Sequence, residues 1–281
     1  MNVKVLTAIL VLSIASLACG FSVDLPNLSK AGPEVEESIT VTDPKSDETR
    51  VSISFGAGEL KLSPGARNLV DGTVIYNVDD FKPEIVENGN RIEIKQGNLD
   101  GIPPLKDLRN EWDLKLGSAP MELVISAGAY EGTLELGGLS LKSLEINDGA
   151  SNVDLTFSEL NPVEMSIMRY ATGASDVSLT GLANANFSTL TFSGGAGNYT
   201  LDFSGELQRD AVVTIDSGFG NVTLIVPKDV NARVTVEGAA VNINHGSGWT
   251  QNGNDYTQKG EGPTLTFVVK MAAGNLLIDG G

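Results

Sequence analysis

The chain reads as all-β, a β-solenoid-like stack of two-strand repeats joined at glycine corners, and three observations lead there. Short runs rich in Val, Ile and Thr alternate apolar with polar residues and are bounded by Gly, Asn, Asp and Ser, the pattern of half-buried strands. Glycine fills 32 of the 281 positions, against a usual share of about 7 %, so many tight corners are implied. A unit of two short strands around a glycine recurs at about 20 to 24 residues, within the window that marks stacked repeats.

Taken from the N-terminus, the first 18 residues read as an address. Met1-Asn-Val-Lys4 is followed by an apolar run from Val5 to Leu17, too short for the roughly 20 residues of a bilayer-spanning helix but suited to a signal peptide. Cys19 is the one cysteine of the chain and follows Ala18 directly. The segment Ala15-Ser-Leu-Ala-Cys19 resembles a bacterial lipobox, with Ser16 where Leu is commonest. The resemblance implies cleavage before Cys19, a lipid on its sulfur, and attachment to the outer face of a cell membrane. Two or three acyl chains hold a soluble domain durably, each buried CH₂ contributing about 0.8 kcal/mol.

Residues 19–46, rich in Ser, Pro, Lys and Glu, read as a flexible tether. The β-repeat domain is expected over 47–281, with a less regular part over 47–120 and regular repeats over 121–281. Four copies align best: Leu144-Glu-Ile146 with Gly149 and Val153-Asp-Leu155; Met165-Ser-Ile167 with Gly173 and Val177-Ser-Leu179; Leu190-Thr-Phe192 with Gly195 and Tyr199-Thr-Leu201; Val213-Thr-Ile215 with Gly218 and Val222-Thr-Leu224. In each, two apolar positions follow the glycine at the same spacing, so one face fills a shared core and the other meets water. Weaker copies follow at Val234-Thr-Val236, Gly238 and Val241-Asn-Ile243, and at Phe267-Val-Val269, Gly274 and Leu276-Leu-Ile278. Earlier ones surround Gly56 to Leu62 and Gly128 to Leu136.

Two stretches interrupt the pattern. Gly101 to Trp112 carries Pro103 and Pro104 and mixed charge, so it reads as a loop or short helix. His245 to Gly262 contains Asn252-Gly253 and reads as a projecting hairpin.

The chemistry on offer is sparse. With 19 basic against 36 acidic residues and a net charge of −17, phosphate backbones are repelled, so nucleic acid is excluded as a partner class. The single histidine, His245, lacks the neighbours of a metal site or a catalytic base, and no cofactor or metal is expected. The glycine corners lack the Lys-Ser/Thr of a phosphate loop, and Tyr199 stands where a calcium β-roll needs Asp. Asp79-Asp80 is the adjacent acidic pair open to a glycosidase reading, but neighbours on a strand point to opposite faces. Trp249 and Tyr256, with Trp112, are the aromatics that could stack on sugar rings, and the first two are the candidate ligand contacts. The sequons at Asn27, Asn186, Asn198 and Asn221 are treated as chance in a lipobox-bearing chain.

Phe55-Gly-Ala-Gly-Glu-Leu-Lys-Leu62, Glu111-Trp-Asp-Leu-Lys-Leu116, Leu136-Gly-Gly-Leu-Ser-Leu141 and the run Gly220 to Val230 resemble the bacterial toast-rack domain families of unknown function. Related β-repeats occur in cell-wall-active antibiotic response proteins and adhesin-like proteins. The resemblance covers most of residues 50–281 and implies a toast-rack scaffold with no catalytic residues to carry over. It departs from the antibiotic-response proteins in having a lipid anchor in place of N-terminal transmembrane helices. The expected function is therefore a membrane-anchored lipoprotein whose β-repeat is a non-catalytic interaction or sensing module at the cell envelope, its partner another envelope protein or a glycan. The alternative is a surface adhesin or carbohydrate-binding protein.

Overall fold

The structure, a computed structural model, describes residues 31–46, 48–97 and 108–280. Fifteen strands form one sheet, and helix is confined, among the described residues, to short 3₁₀ turns at Asp79–Phe81 and Leu182–Ala185. Eight long strands make its body: β2 (Thr49–Pro64), β7 (Met121–Glu135), β8 (Leu141–Thr156), β9 (Met165–Thr180), β10 (Phe187–Asp202), β11 (Ala211–Val226), β12 (Val230–His245) and β15 (Glu261–Gly280). The shorter ones are β1 (Val35–Val41), β3 (Val70–Tyr76), β4 (Pro83–Asn88), β5 (Arg91–Gln96), β6 (Asn110–Leu116), β13 (Thr250–Asn252) and β14 (Asp255–Gln258).

The eight long strands run parallel in the order β2, β7, β8, β9, β10, β11, β15, β12. Each repeat is one continuous strand bent at its glycine, where the sequence suggested two strands. Alternation places the inward residues of equal register in rows. Val51, Leu123, Leu144, Met168, Leu190, Val213, Phe267 and Val234 form a fully buried row in the first arms. In the second arms the matching row is Leu62, Leu134, Leu155, Leu179, Leu201, Leu224 and Ile278, all buried. The arms face one another across this core: Phe203, just past the second arm of β10, packs edge-on against Phe267 in the first arm of β15 at 4.9 Å. Burying a side chain of this size stabilises by about 1.5 to 3 kcal/mol, and only the stack supplies the cover that a single bent strand lacks.

The corner needs glycine for a stated reason. Gly220 has φ +147, and a Cβ there would lie 1.9 Å from the carbonyl oxygen of Gly197 on the neighbouring strand. Both the backbone angle and the close approach of strands exclude a side chain.

Several expectations need correction. Residues 35–41, placed in the tether, form β1, which pairs antiparallel with β3 and buries Ile39 and Val41; Glu36 and Glu37 in the middle of the run masked its alternation. The stretch read as a loop or helix up to Trp112 ends in β6, where Trp112 is buried and its Nε1 donates to Asn110 Oδ1 at 2.8 Å; residues 98–107 lie outside the described residues. In the first arm of β9, where Met165 is buried but Ile167 only half-buried, the partners of Leu144 and Ile146 are Met168 and Tyr170, both buried. These two stand five and three residues before Gly173, the spacing that Leu144 and Ile146 keep before Gly149.

The last two repeats do not stack in chain order, because β15 inserts between β11 and β12. Within β12, Gly238 pairs with Met271, so the corner falls one residue later than expected. The hairpin does not project: β14 lies along β12 with Ala232 opposite Gln258 and β13 beyond it.

Candidate interaction surface

Cys19 lies outside the described residues. Trp249 and Tyr256 are 5 % and 3 % exposed. Their rings, like that of Trp112, are closed within the core, so no open face remains for a sugar to stack on. The hairpin uses both to cover the end of the stack, and Tyr256 Oη accepts a bond from Gln251 Nε2 at 3.0 Å. His245 is not a loop residue: it ends β12 opposite Ile278, with its ring 5.4 Å from that of Tyr256. Asp79 and Asp80 sit on a 3₁₀ turn. Among the described residues no three His, Cys, Asp or Glu side chains group to hold a metal.

What the fold does bring together lies on the outer side of the corner. Ala57, Ala129, Ala150, Ala174, Ala196, Phe219, Ala273 and Ala240 form one row across all eight strands, about 34 Å long at 4.8 Å per strand. Seven of its positions are alanine, and the eighth, Phe219, is 64 % exposed. Two residues further along each strand runs a polar row. Asn198 Nδ2 donates to Asp176 Oδ1 (2.7 Å), Asn221 to Asn198 (2.7 Å), Asn275 to Asn221 (2.7 Å) and Asn242 to Asn275 (3.2 Å). Asn198, Asn221 and Asn275 each give one N–H and one lone pair to their neighbours in the row and keep one of each for water or a ligand, whereas Asn242, at the end, gives only an N–H.

On the other side of the alanine row the small residues Ala171, Ser193, Gly194, Gly195 and Gly218 leave a groove of about 530 Å³ across β9, β10, β11, β15 and β12. Asp216, Lys270 and Glu237 line its far part on three adjacent strands, in register. Phe219 directly follows the groove residue Gly218. A flat aromatic face, three charged groups and a row of amides thus share one outer strip. This combination can hold a ligand with both apolar and hydroxyl- or amide-bearing faces.

Behind the same corner lies a polar cluster. Asp148 accepts from Tyr170 Oη at 2.9 Å and from the Thr172 hydroxyl, and Ser151 Oγ donates to Ser175 Oγ at 3.0 Å. Burial, with the nearby Asp148 charge, pushes the Tyr130 hydroxyl well above the usual range, and burial with Tyr130 and Asp148 does the same for Tyr170. Tyr199 is raised chiefly by burial, and its hydroxyl has no hydrogen-bond partner among the described residues. Gly194 makes room for that ring: a Cβ there would meet Tyr199 Cε2 at 2.5 Å. These tyrosines stay neutral, and with Asp148 already accepting, the cluster braces the corner.

Phe219 and the asparagine row were missed in the sequence reading, although the signal is present. Aligned on their glycines, the corners read Gly195-Ala-Gly197 and Gly218-Phe-Gly220, each followed at once by Asn.

A family model described as the N-terminal domain of toast_rack, DUF2154, matches residues 30–167 and 153–225. Among solved structures, the chain is similar to a proposed cell adhesion protein of Clostridium sporogenes, with 23 % identity and a TM-score of 0.49 over 89 % of this chain and 100 % of that one. It is also similar to a proposed adhesin of Bacteroides fragilis, at 10 % identity and a TM-score of 0.38 over 90 % and 99 %. A proposed lipid binding protein of Parabacteroides distasonis gives 10 % identity and 0.44 over 89 % and 98 %. No curated protein sequence matches the chain.

Proposed function

The chain belongs to the toast-rack N-terminal domain family, and on that footing we propose that it is a membrane-anchored lipoprotein, held through Cys19, whose β-repeat is a non-catalytic interaction or sensing module at the bacterial cell envelope. The observation that carries the reading is the outer strip at the corner. There a stack of eight parallel strands presents Phe219 beside the groove of Asp216, Lys270 and Glu237. A rigid scaffold with one exposed aromatic in a row of alanines is built to meet a partner. No histidine or cysteine among the described residues lines the groove, so a serine–histidine or cysteine–histidine pair is not assembled there. The anchor rests on the lipobox resemblance alone.

Cross-linking of the lipidated protein in its native membrane, with mass spectrometry of what is captured, tests this. Capture of a defined envelope component that is lost in both Cys19→Ala and Phe219→Ala supports the reading. Turnover of an envelope polymer by purified protein, abolished in Asp216→Asn with Glu237→Gln, overturns the non-catalytic part.

A second reading, a surface adhesin or carbohydrate-binding protein, is favoured by the same exposed ring beside free amides. Glycan arrays with Phe219→Ala as control distinguish it. Binding that disappears with the ring identifies a sugar, since stacking is lost on truncation.

A further inference from the structure

The stack ends on β12, and its two arms end differently. The first is covered: Ala232 to Thr235 pair with β14, and the Val236 amide donates to the Asn254 carbonyl at 3.0 Å. The second, Ala240 to His245, pairs with β15 on one side and has no backbone partner on the other among the described residues. Open edges invite strand addition, and proteins guard them with charge, proline or brevity. The other edges of this sheet are so guarded. Strand β1 carries Glu36 and Glu37, β4 begins at Pro83 and carries Glu84 and Glu87, and β13 has three residues. The six residues Ala240-Val-Asn-Ile-Asn-His245 have neither charge nor proline, in a chain of net charge −17.

The rows described above also stop unfinished at this edge. Ile243 lies in register with Leu276 and, one strand further, Val222. Those two are fully buried, whereas Ile243 and Val241 remain half-buried. Asn242 donates to Asn275, and its own Oδ1 accepts no bond among the described residues.

We propose that the second arm of β12 is a docking edge for one extended segment of a partner protein, added in parallel register as a further strand. The rows specify its chemistry. An amide-bearing residue is needed to donate to Asn242 Oδ1, then an apolar residue over Ile243, one free position, and a second apolar residue, with no acidic side chain because of the chain's negative charge. This is the pattern of its own Asn221-Val-Thr-Leu224. A second copy is not favoured: edges β1 and β4 carry the guarding glutamates, and a second β12 edge would meet this one antiparallel across a two-fold axis instead of continuing its rows in parallel register.

The proposal rests on the interaction-module reading but is tested apart from it. The probe is a labelled peptide with the sequence of residues 220–226, GNVTLIV, followed by two lysines, titrated by fluorescence anisotropy against the lipidated protein in detergent. Binding at least tenfold tighter than to a scrambled peptide is expected, with tenfold weakening in Ile243→Lys and several-fold weakening in Asn242→Ala. The latter lies on the exposed outer row, where folding is not at stake. Phe219→Ala leaves peptide binding unchanged. Equal binding of the scrambled peptide, or no effect of either edge variant, overturns the proposal while leaving capture through Phe219 intact. Binding that appears only when residues 20–30 are deleted assigns the edge to this chain's own N-terminal segment and overturns it too.

Discussion

Replacing Gly220 by alanine isolates what the corner demands. Its φ of +147 lies in a region nearly exclusive to glycine, and the added Cβ would stand 1.9 Å from the Gly197 oxygen, well inside the 3.4 Å at which ordinary contact begins. Backbone strain of this kind costs about 1 to 3 kcal/mol. The clash is with a peptide unit held between strands, so relief requires parting β10 from β11 and losing one or two ladder hydrogen bonds of about 1 kcal/mol each. The expected loss is about 2 to 5 kcal/mol, from the sum of those two costs. Gly253→Ala is the control: φ is +63 and nothing lies within 4 Å, so only about 1 to 2 kcal/mol of left-handed strain applies. Urea unfolding followed by tryptophan fluorescence is the assay, since Trp112 and Trp249 are both buried. With m near 3 kcal/mol/M, the midpoint of Gly220→Ala should fall by about 1 M. Equal shifts in the two variants would refute the close-approach account.

Further outcomes follow from the corner cluster and the end cap. Tyr199→Phe removes a buried hydroxyl without a partner among the described residues and should be neutral or slightly stabilising, whereas Tyr170→Phe strips Asp148 of a donor and should cost about 1 to 3 kcal/mol in the same urea assay. Because burial raises the Tyr130 and Tyr170 hydroxyls, the native state holds their protons where the unfolded chain has released them. Stability is therefore full below about pH 10 and falls as pH rises beyond it, by up to about 1.4 kcal/mol per pH unit per tyrosine. Denaturant melts from pH 8 to 12 check this, and a flat profile would contradict it. Trp249→Ala should destabilise by about 3 to 5 kcal/mol as a core truncation, while Phe219→Ala, largely exposed, should stay within about 0.5 kcal/mol; chemical denaturation of both compares them directly.

The repeat was legible because its signal is local. A glycine, then apolar residues four and six positions on, marks every second arm from β8 to β11 without knowledge of neighbours. The first arm of β9 was misplaced because Tyr170 replaces an aliphatic residue there, and its hydroxyl, aimed at Asp148, gave no apolar alternation to read. The insertion of β15 between β11 and β12 was invisible for another reason: all the arms carry similar patterns, so pattern alone does not order them. Covering decides it. Strand β15 has buried side chains in all four inward rows where the arms pack, whereas β12 offers Val241, Ile243 and His245 in its second arm, which suit an end better than a middle. Trp249 and Tyr256 were singled out for being aromatic in a polar stretch, but the end of a stack needs large side chains to close it, and that need took them.

The surface shows the complementary logic. Outward rows are freed from core packing, so their chemistry reflects what the outside requires. The asparagine row runs amide to amide over Asp176, Asn198, Asn221, Asn275 and Asn242 and so ties adjacent repeats together where glycine has removed side-chain contacts. Breaking it at Asn221→Ala deletes two of those exposed bonds, and exposed bonds contribute little each, so a loss of about 1 kcal/mol is expected by urea titration. Hydrogen exchange should be the sharper probe. If the row braces the corner, amides of Gly220 and its neighbours exchange faster in the variant while those of the leucine row do not; uniform acceleration would mean that the row contributes only to global stability.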